Sequence, residues 1–157
     1  MAYNPEFDSE LECSYLMLAS IHVDRKRYDL AKDILCKHCF VEQKKSNCSY
    51  LTPCSSLGSS KAYEIMGLIC EREKMFKDAI FYYGKSWEME KDLLSHDDNN
   101  NVSPAIIVIG FKLASCYMAS NNIIEAMEIS DFISNKFPEH SQFKEEIVNR
   151  CTVSIRP

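Results

Sequence analysis

Glycine and proline are scarce in this chain, four and five among 157 residues. That scarcity excludes collagen-like and proline-rich low-complexity architectures. The longest uninterrupted aliphatic run, Ala105 to Ile109, falls far short of the ~20 residues a helix needs to cross a bilayer. No membrane insertion is expected. The opening residues, Met1-Ala2-Tyr3-Asn4-Pro5-Glu6-Phe7-Asp8, are acidic and lack the apolar core of a secretory signal. No block of Lys and Arg forms a phosphate-binding stripe, and 18 basic against 23 acidic residues leave a net charge of −5. Nucleic acid is therefore not an expected partner. Apolar residues make up 46% and charged residues 26%, the balance of a folded chain of about one domain.

Cysteine is the one abundant unusual residue, with eight copies at 13, 36, 39, 48, 54, 70, 116 and 151. Without a secretion signal the cytosol is the default, where thiols stay reduced and no disulfide framework is implied. Cys13, Cys36, Cys70 and Cys151 fall in stretches of helical apolar spacing, where a free cysteine acts as a small hydrophobe. Cys36-Lys37-His38-Cys39, with Cys48 and Cys54 beyond, invites a zinc reading. However, the x5 spacing of the second pair matches no common knuckle, so packing and loop thiols are expected and no metal or cofactor is assigned. The run Asp97-Asp98-Asn99-Asn100-Asn101 lacks the alternation, central Gly and closing Glu of a calcium loop. No Ser, Cys or Asp stands in an elbow or Gly-rich loop, and none of the four histidines has a catalytic setting. An enzyme is not expected.

The informative signal is internal repetition. The first unit reads Tyr15-x2-Leu18-Ala19-x2-His22, then Ala31-x3-Leu35. The second reads Tyr63-x2-Met66-Gly67-x2-Cys70, then Ala79-x3-Tyr83-x2-Ser86. The third reads Gly110-x2-Leu113-Ala114-x2-Tyr117, then Ala126-x3-Ser130-x2-Ile133, and closes on Pro138. In each, the small residue of the first half precedes the alanine of the second by twelve positions. This is the tetratricopeptide pattern, a pair of antiparallel helices. Small side chains (Ala19 with Ala31, Gly67 with Ala79, Ala114 with Ala126) let the helices cross closely, while Tyr15, Leu18, Tyr63, Met66, Leu113 and Tyr117 fill the groove around them. The polar turns are Asp24-Arg25-Lys26-Arg27, Glu71-Arg72-Glu73-Lys74 and Ser120-Asn121-Asn122.

The expected fold is all-α, a tetratricopeptide αα-hairpin solenoid of three repeats and a C-terminal capping helix. Repeat 1 spans 9–45, a Ser/Cys-rich insert 46–60, repeat 2 61–94, an Asp/Asn-rich loop 95–103 and repeat 3 104–138. A capping helix and tail occupy 139–157, with Phe143, Ile147 and Cys151 on its apolar face. A capping box, Ser9-x2-Glu12, is expected to open the first helix, and Ser103-Pro104 to open the third repeat. Trp87 is expected between neighbouring hairpins, and Ala105–Ile109 at a buried helix start. Nothing comparable to the cap precedes the first repeat, which predicts that the chain continues, or once continued, upstream.

Several blocks resemble a particular family. Lys61-Ala62-Tyr63-Glu64-Ile65-Met66-Gly67, Glu71-Arg72-Glu73-Lys74, Lys77-Asp78-Ala79, Tyr82-Tyr83 and Ser86-Trp87 are similar to the C-terminal repeats of the tetratricopeptide repeat protein 21 family. So are Gly110-Phe111-Lys112-Leu113-Ala114, Tyr117 and the ending Ser154-Ile155-Arg156-Pro157. The family is the large tetratricopeptide subunit of intraflagellar transport complex A. The resemblance implies a non-enzymatic scaffold of retrograde ciliary transport and ciliary protein trafficking. It also implies that the chain contacts other complex A subunits, and acts in the cilium or flagellum and in the cytoplasm at the ciliary base, associated with the cytoskeleton.

In repeats of this kind the first helix of each pair lines the concave face. The outward positions are Leu16, Ser20 and Val23, then Lys61, Glu64, Leu68 and Glu71, then Phe111, Lys112, Ser115 and Met118. The stripe mixes apolar and acidic residues, as a groove for an amphipathic or extended partner segment does. The alternative is that it packs only against neighbouring turns of its own superhelix. A second functional reading is a co-chaperone-type adaptor gripping a carboxylate. Two isolated lysines, Lys61 and Lys112, make a poor multi-donor clamp.

Overall fold

The computed structural model describes residues 5–45, 48–53, 59–96 and 104–155. Three antiparallel helix pairs follow one another: α1 (Pro5–Asp24) with α2 (Tyr28–His38), α3 (Ser59–Arg72) with α4 (Phe76–His96), and α5 (Ala105–Ala119) with α6 (Ile123–Lys136). A single 3-10 turn at Pro138–His140 leads into α7 (Gln142–Ile155). The hairpins stack, with α4 packed on α5 and α6 on α7. The fold is the expected helical solenoid with a terminal helix.

The same device ends the first helix of every hairpin. Lys26, Lys74 and Asn121 have φ of 58°, 65° and 62°. The next residue's N–H then reaches back five positions, Arg27 to His22 (2.8 Å), Met75 to Cys70 (2.8 Å) and Asn122 to Tyr117 (2.8 Å). The left-handed residue itself donates to Val23, Glu71 and Met118. These are three Schellman caps, which satisfy carbonyls that a helix end leaves orphaned. They stand at equivalent positions of the repeat, where the sequence pattern places polar turns.

Packing follows the small residues, with one adjustment. Ala19, Ala31, Ala79, Ala114 and Ala126 are all fully buried. Gly67 is buried too, but what presses on it is Tyr83 and not Ala79. A Cβ on Gly67 would lie 2.6 Å from the Tyr83 ring. Gly110 occupies the aromatic position of repeat 3, and Trp87 from α4 and Ile133 from α6 fill the space it leaves, each within 2.7 Å of where a Cβ would stand. Trp87 also meets Phe132 edge-on at 5.3 Å, so it packs between successive hairpins. Ile106 and Ile109 of the aliphatic run are buried. On α7, Phe143 and Ile147 are buried in the core shared by the second and third hairpins, and Lys144 bridges to Asp131 of α6 at 2.8 Å.

Four expectations need correcting. First, α1 spans Pro5–Asp24, so Ser9 lies inside the helix and not at its N-cap position; proline is favoured at a first helical position because its missing N–H has no partner there anyway. Second, α2 stops at His38, and Phe40–Lys45 (β1) pairs antiparallel with Cys48–Pro53 (β2) in the register Phe40 to Pro53 and Lys45 to Cys48. The insert is thus partly a β-hairpin, built from strand-forming residue types such as Val41, Tyr50 and Thr52, and anchored by Phe40, whose ring is buried 5.3 Å from that of Tyr63. Third, in repeat 1 Leu18 is 42% exposed while Leu16 and Val23 are buried. Meanwhile Tyr15 stacks on His38 at 3.7 Å. Leu18 is left open because the face that a preceding hairpin covers in repeats 2 and 3 has no such neighbour among the described residues. Fourth, of the cysteines expected as small hydrophobes, Cys70 is buried but Cys13 and Cys36 are exposed, since they fall on the outer faces of α1 and α2. The Asp/Asn run, Ser103 and Cys54 lie outside the described residues, and so does the side chain of Cys151.

Candidate interaction surface

The stripe read from sequence as a partner groove is built from equivalent positions on successive first helices. Leu16, Glu64 and Phe111 share one register position, and Val23, Glu71 and Met118 share another. In the structure these positions form the seam between one first helix and the next. At the first junction Leu16 and Val23 join a buried cluster with Ala62, Tyr63, Met66 and Ile69 of α3. Their expected place on an open partner face is corrected accordingly.

At the second junction the seam is ionic. The buried Glu64 carboxylate accepts from Lys112 Nζ of α5 through Oε1 at 2.7 Å and from Lys61 Nζ through Oε2 at 3.0 Å. Burial pushes this carboxyl up, but the two ammonium groups outweigh it and hold its pKa below the ordinary value of 4.5. The Lys112 ammonium also stands 6.0 Å over the Tyr83 ring, and the Tyr83 hydroxyl donates to Glu71 Oε2 at 2.7 Å. Burial first, and then the bond to Glu71, push that phenol far up. Four of the predicted groove residues, Lys61, Glu64, Glu71 and Lys112, thus belong to one network. Sequence reasoning missed its hub Tyr83, since only the fold brings Lys112 across to Glu64 and the Tyr83 hydroxyl beneath Glu71. The Lys61–Glu64 pair alone was legible, as an i,i+3 neighbour.

At the third junction the seam opens. Phe111, 37% exposed, leans on Phe143 of α7 with ring centroids 5.1 Å apart. Met118 lines a cleft of about 710 Å³ with Gln142, Glu145, Glu146, Asn149, Arg150 and Val153 of α7. Leu68 is half-buried between the two cores. The accessible remainder of the predicted stripe is therefore the outer side of Lys61, Phe111 and the Met118 cleft.

Other titratable groups are structural. Lys32 of α2 is paired with Glu73 in the turn between α3 and α4, tying the first hairpin to the second, and that hydrogen bond raises the lysine pKa despite partial burial. Burial lifts the Cys70 thiol to about 11 and the Cys116 thiol to about 12, which leaves both as inert packing groups. Cys36 is exposed while Cys39 is buried. No cluster of metal-ligating side chains occurs among the described residues, and no described helix is long and apolar enough to cross a membrane.

The profile of the tetratricopeptide repeat protein 21 C-terminal ARM domain matches residues 1–152. The chain belongs to this family. It is 35% identical over 148 residues to human tetratricopeptide repeat protein 21A, covering 94% of this chain and 9% of that protein. It is 29% identical over 157 residues to mouse tetratricopeptide repeat protein 21B, covering 100% of this chain and 10% of that protein. The Caenorhabditis elegans homologue is 24% identical, again over 10% of its length. The chain thus spans about a tenth of the curated relatives it matches. Membership of the tetratricopeptide repeat protein 21 family accords with the three stacked helix pairs, a helical-repeat arrangement of the protein-interaction kind.

Proposed function

We propose that this chain is a non-enzymatic scaffold unit of intraflagellar transport complex A, acting in retrograde ciliary transport and ciliary protein trafficking. Its partners in this reading are other complex A subunits. Its place is the cilium or flagellum and the cytoplasm at the ciliary base. The observation that carries the reading is the match to the family's C-terminal domain over residues 1–152. The open end of the seam, with Phe111, Met118 and the outer side of Lys61, is the surface offered to a partner segment. A co-chaperone-type adaptor is disfavoured by the geometry. It would need Lys61 and Lys112 available for a partner carboxylate, and both are already bonded to Glu64.

Affinity purification of the tagged chain from ciliated cells, with partners identified by mass spectrometry, tests this directly. Enrichment of complex A subunits over an untagged control is the expected outcome. Recovery of chaperones without those subunits would reject it.

A further inference from the structure

Among the described glycines, two are demanded by their neighbours. A Cβ on Gly67 would collide with Tyr83, and one on Gly110 with Ile133 and Trp87. Gly84 is different. It sits in the interior of α4, its φ is not positive, and a Cβ there would meet nothing within 4 Å. Neither backbone geometry nor internal packing requires glycine here, at a position where alanine is the better helix former. One physical use of a glycine at such a place is to let another body approach the helix closely.

Gly84 lines a cleft of about 610 Å³ between α4 and α6, to which Leu113 and Tyr117 of α5 also contribute. Phe81, one turn away on α4, is 55% exposed. On the α4 side Lys91 is paired with Glu88 at 3.4 Å and lies 5.6 Å over Phe132, while Lys85 lies 5.6 Å over the Phe81 ring, so one lysine charge faces the two carboxylates of α6. On the α6 side Glu125 and Glu128 are exposed, one turn apart, and form no ion pair among the described residues. Burial, and after it the carboxylates of Glu125 and Glu128, hold the Tyr117 phenol above its ordinary range, consistent with a negative potential in the cleft.

We propose that this cleft receives an amphipathic helix of a partner protein, crossing α4 at Gly84, its apolar face against Phe81 and its Lys or Arg side chains toward Glu125 and Glu128. A groove between two helices over a third has the shape that a further helix fills. A glycine at the crossing point permits the close approach, and the unmatched carboxylates set the charge of the partner. The proposal rests on the reading of the chain as an interaction module, and it adds a surface separate from the seam of first helices.

Two synthetic stapled helical peptides, each about four turns long, test it. They share one leucine face and differ in carrying lysine or glutamate on the flanks. Binding to the whole chain is read by fluorescence anisotropy and by 15N–1H NMR. The lysine peptide should bind saturably with shifts centred on Gly84, Glu125 and Glu128. Gly84→Leu should weaken it about tenfold or more, and Glu125→Lys with Glu128→Lys should transfer preference to the glutamate peptide. Gly84→Ala should raise Tm. Equal affinity for the two peptides, no saturable binding of the lysine peptide, shifts centred on α1, or binding indifferent to Gly84→Leu would each overturn the proposal. A lower Tm for Gly84→Ala would do the same, by showing that the fold itself needs the glycine. None of these outcomes bears on co-purification with complex A, so the two readings fail separately.

Discussion

Gly67 and Glu64 show how much one residue can carry in a solenoid this short. Gly67 has no side chain because the fully buried Tyr83 ring occupies the space, and that ring is held by its bond to Glu71. Gly67→Ala must displace the ring, and urea denaturation should show a loss of about 1–3 kcal/mol, the usual range for overpacking. Glu64 makes the molecule acid-sensitive. Its folded pKa lies below the ordinary 4.5, so its contribution is present above that value and disappears as pH falls through the lower folded pKa. Stability measured from pH 7 downward should therefore drop below pH 4.5, and Glu64→Gln should flatten that drop. Thiol chemistry sorts along the same lines. Iodoacetamide near pH 8 should label the exposed Cys13 and Cys36 and spare Cys70 and Cys116 in the folded chain, because the latter two are closed to the reagent and burial lifts their thiols to about 11 and about 12, away from the reactive thiolate form. Partial burial also raises the Cys36 thiol and should slow its labelling. Mass spectrometry reads the pattern.

Among the elements, the three interhelical turns are the most uniform feature. Each relies on a left-handed residue, yet none of the three is glycine. A non-glycine side chain in that region is strained by roughly 1–2 kcal/mol. Lys74→Gly should accordingly stabilise the second hairpin by about 0.5–1 kcal/mol, seen as a higher urea midpoint with an unchanged slope. These turns were legible as polar clusters between the apolar halves, because the repeat register places them. The β-hairpin between α2 and α3 was not legible. Its residues alternate weakly, and the element depends on Phe40 reaching Tyr63, a contact that exists only once the second repeat is stacked on the first.

For the molecule as a whole, the two ends differ. Phe143 and Ile147 of α7 close the last hairpin. At the other end Leu18 and Ile21 are 42% and 45% exposed, whereas their register equivalents, Met66 and Ile69 in α3 and Leu113 and Cys116 in α5, are buried. The same positions that receive a preceding hairpin in repeats 2 and 3 are open in repeat 1. The isolated chain should therefore self-associate through α1. Leu18→Glu with Ile21→Glu should make it monomeric in sedimentation equilibrium while changing stability by less than about 0.5 kcal/mol, as expected of exposed sites. Ile69→Glu, at the buried equivalent, should cost on the order of 4 kcal/mol.

By itself the sequence determined the helical hairpins, their number, their turns and the family, because a fixed spacing of small and large residues is a local property that survives without coordinates. It also disclosed the stripe of positions that recurs on every first helix. Only the tertiary structure decided what that stripe does at each junction. It is apolar and closed at the first, ionic and satisfied at the second, and open beside α7 at the third. The reason is physical: whether a side chain is buried, paired or available depends on what the next hairpin brings opposite it, as Lys112 does for Glu64 from 48 residues away. No one-dimensional pattern records that partner.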